Sequence, residues 1–152
     1  MLFRSVTYVG GKVVNKLSPV SGSAKSAVTS VRQADLNTLA ENGVKFTPEN
    51  VLATGTAPNG KIVFLETGSS RAGLQHIIER HAADFESKGI AQADIPSVVM
   101  EAVTKGTLVG TNGLAPVYQI IYGGSPKYIS VGVGSNGFIV RANPVSTWKP
   151  VQ

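Results

Sequence analysis

The stretch PVYQIIYGGSPKYISVGVGSNGFIVRANP, residues 116–144, decides the fold class. Its runs PVYQIIYGG, KYISVGVG and GFIVRANP are short and rich in Val, Ile and Tyr, which is strand composition. Gly123-Gly124-Ser125-Pro126 and Ser135-Asn136-Gly137 separate them, and both separators are turn chemistry. Links this short force antiparallel neighbours, so the stretch predicts a β-meander. On its middle strand Ile129, Val131 and Val133 alternate with Tyr128, Ser130, Gly132 and Gly134. The first set faces a core and the second presents a small, polar face. That second face is either plain solvated sheet or the floor of a cleft, and glycine within a strand often marks close approach of a ligand or another backbone.

Working towards the N-terminus, the period changes from two to 3.6. Ile95, Val98, Val99, Ala102 and Val103 form one helical stripe, with Asp94 or Ile95 at its start, Pro96 in its first turn and Gly106 at its end. Leu74, Ile77, Ile78, Ala82 and Phe85 form another, predicting a helix from about Arg71 to Lys88, capped by Ser69 or Ser70 and stopped by Gly89. VLATGTAPNGKIVFLE (51–66) reads as a hairpin turning at Asn59-Gly60, and a short helix is expected from about Val31 to Asn42, ended by Gly43. Helices followed by an antiparallel sheet give an α+β domain. Residues 17–33 are rich in Ser and small side chains, so 1–33 read as a linker or arm and 34–152 as the domain.

A chain of 152 residues is about one domain and can bury a core without staples. It has no Cys, hence neither disulfides nor a thiolate nucleophile, and its 2 His exclude a three-His zinc centre. No apolar run approaches the roughly 18–20 residues of a membrane span, and the start lacks a signal-peptide core, so a soluble domain is expected. The net charge is +5, unevenly placed. Residues 1–33 hold five basic side chains and no acid; 34–101 hold five basic and all nine acids; 102–152 hold four basic and again no acid. Acid-free basic ends suit a polyanion such as nucleic acid, although a basic surface also serves solubility alone.

Both histidines fall in one helix, in GLQHIIERHAADF. Five positions apart, they sit about 140° around the axis and are not expected to point the same way. His81 joins the stripe of Leu74, Ile78 and Phe85, where a core histidine tied by a hydrogen bond is the plain alternative to a functional one. His76 falls nearly opposite, where a solvated side chain is the plain alternative. A metal pair would want a spacing of three or four, so no metal is expected. Ser69-Ser70-Arg71-Ala72-Gly73 opens the helix, where backbone N–H groups attract anions; a phosphate there would lie near Arg71 and His76.

These pieces suit metal-free cleavage of RNA through its own 2′-hydroxyl. That reaction needs a base for the hydroxyl proton, an acid for the leaving 5′-oxygen and a cation for the charged phosphorane. His76 and His81 with Arg141 are the candidate catalytic groups; Arg71, Arg80, Tyr128, Ser130, Asn136 and Thr147 are candidate substrate contacts. The acidic cluster of a two-metal nuclease is missing from residues 102–152. No cofactor is called for.

The order of elements, with SRAGLQHIIERHAADF and the NGFIVRANP strand, resembles the ribonuclease toxin domains of bacterial polymorphic toxin systems, the barnase–EndoU–colicin–RelE-like group. The likeness is greatest to C-terminal toxin domains of contact-dependent growth inhibition proteins and covers roughly Asn42 to Val145. It implies a barnase-like α+β fold and a metal-independent endoribonuclease acting on tRNA or other RNA. It also implies delivery, as part of a larger secreted or cell-surface protein, into a target-cell cytoplasm. A dedicated acidic immunity protein covering the active site is implied as a partner, and in some members EF-Tu is another. Carried over by residue, the helix histidines are His76 and His81, with Arg80 beside them. The closing strand in many relatives reads IV-Thr-A-x-P with the Thr on phosphate. Arg141 stands in that place here, so either Arg141 or Ser146 and Thr147 take the role.

Two readings of other classes compete. A toxin hydrolysing NAD(P) would use the same helix end and need a catalytic carboxylate, Glu79 or Glu66. A non-catalytic RNA-binding module would need sheet aromatics for base stacking, for which Tyr118, Tyr122 and Tyr128 qualify.

Overall fold

The computed structural model describes residues 31–151, and most of the arm read at 1–33 lies outside them. The chain forms α1 (Gln33–Glu41), a 3-10 turn (Pro48–Asn50), β1 (Val51–Thr56), β2 (Ile62–Glu66), α2 (Leu74–Ser87) and a second 3-10 turn (Gln92–Asp94). There follow α3 (Ile95–Lys105), β3 (Thr107–Asn112), β4 (Ala115–Tyr122), β5 (Ser125–Val133), β6 (Ile139–Pro144) and β7 (Lys149–Pro150). It is an α+β fold. β1 and β2 form a hairpin, while the other strands form one antiparallel sheet in the order β6-β5-β4-β3-β7.

The meander is present as β4, β5 and β6, with Tyr118 opposite Ile129 and Val131 opposite Ala142. Two strands extend it that the sequence reading passed over. TLVGTN (β3) has mostly exposed side chains and a glycine in its middle, so it shows no apolar alternation. β7 is two residues long. Gly110 is required there by close approach: a Cβ would sit 2.1 Å from the Lys149 carbonyl oxygen and 2.7 Å from Trp148 Cδ1.

The inner face of the sheet, with α2, α3 and the hairpin, encloses the main core. Ile95, Val98, Val99, Ala102 and Val103 are all buried there, as their spacing requires, together with Ile77, Phe85, Ile129 and Val131. A second, smaller core of Leu36, Leu39, Val51 and Phe64 seats α1 on the hairpin. The Phe64 N–H also donates to the Gly137 carbonyl at 2.9 Å, and Phe64 forms a parallel bridge to Phe138, which joins the hairpin to the large sheet.

α1 is pinned by a buried carboxylate. Asp35, 4% exposed, accepts the Thr54 hydroxyl at 2.8 Å, and Thr54 Oγ1 accepts the Arg32 N–H at 3.0 Å. Asp35→Ala removes the acceptor of a buried hydroxyl and is expected to cost about 1–3 kcal/mol. Urea unfolding measures it, and adding Thr54→Val should recover part of the loss because the stranded hydroxyl is removed, leaving only the Arg32 N–H to find another acceptor.

α2 begins at Leu74 rather than near Arg71, and neither Ser69 nor Ser70 caps it. Its N-cap is Gly73, at φ 89, facing Gly68 at φ 71. A side chain on Gly68 would lie 2.1 Å from the Ala72 carbonyl oxygen, and one on Gly73 would lie 2.8 Å from Gly68 Cα. The glycine pair therefore folds residues 68–73 back into a closed loop, with the Ser69 N–H on the Ala72 carbonyl. Long-range bonds then replace a side-chain cap: the Gly73 N–H donates to Val140 and the Gln75 N–H to Thr67.

Candidate active site

The bond from Gly73 to Val140 seats the start of α2 alongside β6, at one edge of the sheet. This carries one flank of the helix over the outer sheet face, away from the core. The cleft between them has a volume of about 410 Å³. His76, Arg80 and His81 form its helix wall, and Ser130 of β5 with Arg141 and Asn143 of β6 form its floor. The β3–β4 hairpin closes the far side with Asn112, Gly113 and Ala115.

Register explains the floor. Ser130 pairs with Asn143 and Gly132 with Arg141, so these side chains share one face. Gly132 makes room for an arginine: a Cβ there would lie 3.0 Å from both Cγ and Nε of Arg141. The glycine seen in the sequence thus accommodates a side chain of the neighbouring strand rather than a backbone. Ser130 is buried in this floor, while Arg141 is exposed above it.

Contrary to the expectation from their helical spacing, both histidines border the same cleft. Positions 140° apart diverge at the Cβ, but the cleft wraps around that flank and each ring is steered by a bond to Nδ1. His76 Nδ1 lies 2.9 Å from the Ser70 carbonyl oxygen, and His81 Nδ1 lies 2.8 Å from Asp84 Oδ2. Carbonyls and carboxylates only accept, so each Nδ1 carries the hydrogen and donates it, and among the described residues Nε2 of each ring has no hydrogen-bond partner. His81 is not a core histidine: its side chain is 28% exposed, and Ile77 and Phe85 fill the core below it.

The remaining candidates lie outside the cleft. Arg71 is exposed in the closed loop, its N–H on Ser69 Oγ at 3.2 Å. Asn136 holds the β5–β6 turn through Oδ1 and the Phe138 N–H at 3.0 Å. Thr147 offers its carbonyl to Asn112 Nδ2 at 3.0 Å. Tyr128 shares the face of Ser130 but stacks on Trp148, with ring centroids 4.4 Å apart. The helix-start anion site is also altered, since Thr67 takes the Gln75 N–H and the folded loop takes His76. Asn112 and Asn143 were missed by the sequence reading. Asn143 follows Arg141 by two on the same strand face, which was a usable signal, whereas Asn112 reads only as the approach to a turn.

The residues that the competing readings call on lie outside this cleft. Glu79 accepts from Gln75 Nε2 and Glu66 from the Thr47 N–H, and neither lines the cleft. Tyr118 and Tyr122 pack against the core, and the Tyr122 hydroxyl donates to Asp94. Burial pushes the Tyr118 phenol above its usual range, so it stays protonated on the far side of the sheet. Among the described residues no three His, Asp or Glu side chains gather as a metal site requires. No family model matches the chain, and no curated protein matches it in sequence. No helix among the described residues is long and apolar enough to cross a membrane.

The cleft is therefore a cationic hollow with two imidazoles and two guanidiniums and no carboxylate in its lining. Neutral hydroxyl and amide donors stand between them. It suits an anion beside which one proton is removed and another is delivered.

Proposed function

We propose that this domain is a metal-independent endoribonuclease that cleaves RNA by attack of the 2′-oxygen on the adjacent phosphorus. The observation that carries the reading is the presence of His76, His81, Arg80 and Arg141 around one acid-free cleft. Nε2 of His76, with Nδ1–H held by a backbone carbonyl, takes the 2′-hydroxyl proton. The 2′-oxygen bonds to phosphorus, and Arg80 and Arg141 compensate the phosphorane charge. The bond from phosphorus to the 5′-oxygen breaks, and Nε2–H of His81 protonates the leaving oxygen. The acid falls to His81 because the Asp84 carboxylate compensates an imidazolium charge, whereas the carbonyl behind His76 offers only a dipole. The products are a 2′,3′-cyclic phosphate and a 5′-hydroxyl.

In the same reading the domain is the toxic end of a contact-dependent or related polymorphic toxin, with tRNA or other RNA as its target, an acidic immunity protein over the cleft and, as in some members of that group, EF-Tu as a helper. Leu114, 95% exposed at the hairpin tip beside the cleft, is an apolar anchor for such a cover.

Incubation with total bacterial RNA in EDTA tests the reading, with EF-Tu in a parallel tube. Discrete fragments ending in 2′,3′-cyclic phosphate are expected, and Arg141→Ala should slow their appearance by about 10²–10³-fold. RNA left intact in every tube would overturn it.

A further inference from the structure

β6 and β7 lie at opposite edges of the large sheet, so the segment joining them, 145–148, must cross the sheet. It crosses the outer face as a strap, with the Val145 N–H on the Tyr128 carbonyl and Trp148 stacked on the Tyr128 ring. Between this strap and the end of α2 lies a second hollow of about 250 Å³. Tyr128 and Trp148 line it with Lys88 and Lys127, and no acidic residue contributes. Lys88 Nζ donates to Ser146 Oγ at 2.6 Å, and Lys127 Nζ to the Lys88 carbonyl. Each ammonium has three hydrogens, so both keep donors for an anion.

We propose that this hollow is a nucleobase subsite for the RNA strand that threads the cleft, with Trp148 and Tyr128 as its stacking wall and Lys88 and Lys127 on the adjoining phosphate. The proposal rests on the reading above only in taking RNA as the bound strand. Three features support it. Tyr128 and Ser130 project from the same face of β5 two residues apart, about 7 Å, which is close to one nucleotide of an extended strand. The hollow joins aromatic rings to cations without a carboxylate, the combination that holds single strands regardless of sequence. Lys88 follows the last turn of α2, the helix that carries Arg80, and Lys127 precedes Tyr128 on β5, so cationic side chains line both hollows.

The chain contains 1 Trp, so its emission reports on this wall alone. A 2′-O-methyl RNA hexamer, which lacks the attacking hydroxyl, is titrated into the full chain while Trp148 emission and the anisotropy of a labelled hexamer are followed. Saturable quenching with the same midpoint as the anisotropy is expected. Trp148→Leu should weaken binding by anisotropy about tenfold, and Trp148→Phe, which keeps a ring, should restore most of it. Lys88→Ala should weaken binding several-fold and flatten its salt dependence, more than Lys45→Ala, which removes the same charge from an exposed position after α1. Binding with Trp148 emission unchanged, no binding at all, or equal effects of the two lysine substitutions would each overturn the subsite. Quenching by the hexamer without cleavage of natural RNA would sink the nuclease reading and uphold this one; cleavage without quenching would do the reverse.

Discussion

His81→Ala is expected to slow cleavage of ordinary RNA by about 10²–10⁴-fold, yet to cleave a substrate with sulfur in place of the bridging 5′-oxygen at close to the wild-type rate. A thiolate leaves without being protonated, so that substrate has no need of the acid that His81 supplies. His76→Ala should lose a similar factor on both substrates, because the 2′-hydroxyl proton must still be removed. Single-turnover rates on the two substrates decide the matter. The opposite pattern would exchange the roles of the two rings, and undiminished rates for both variants would remove the histidines from the chemistry. The assignment depends on Nδ1 contacts six and three residues along the chain, Ser70 for His76 and Asp84 for His81.

Phe64→Ala should be the costliest single substitution in the smaller core, at about 3–5 kcal/mol. Phe64 is 0% exposed and meets Phe46 and Phe138 at ring separations of 6.2 and 5.7 Å. Its removal leaves a cavity where α1, the hairpin and the start of β6 converge, and those elements cannot all close upon it. Urea denaturation measures the loss through its midpoint, and Phe64→Leu should recover much of it by refilling volume. Because the cleft is built on α2 and the outer sheet face, cleavage per folded molecule should stay near wild type. A loss under about 1 kcal/mol would mean that this core collapses freely around the gap and does not hold the hairpin to the sheet.

Where sequence reasoning held, the controlling physics was local. The α3 stripe from Ile95 to Val103 is a matter of helical period, and the tight turns at 123–124, shorter than the expected 123–126, and at 135–137 are a matter of which residues tolerate tight backbone. Where it slipped, partners distant in the chain were in control. β3 exists because β4 and β7 pair with it, not because TLVGTN alternates. α2 starts late because Gly68 and Gly73 close a loop that Val140 and Thr67 bond to from other strands and turns. For the site, Arg141 and Ser130 could be placed on one face from strand alternation and register. His76 and His81 could be found as the only two imidazoles but not brought together.

The sequence by itself determined the α+β class, the meander, the core stripes and the inventory of basic and imidazole groups. Each of these follows from residue type and from periods of two or 3.6 along the chain. Only the tertiary structure decided which of those groups meet. The docking of α2 on β6 turns one flank of the helix over the polar sheet face, bringing His76, Arg80 and His81 opposite Arg141 and Ser130. The same chain path leaves Arg71, Asn136 and Thr147 outside and carries Trp148 across the sheet onto Tyr128. The physical reason is that a side chain's direction from its own backbone is a local property, whereas its neighbours are set by how whole elements pack their apolar faces.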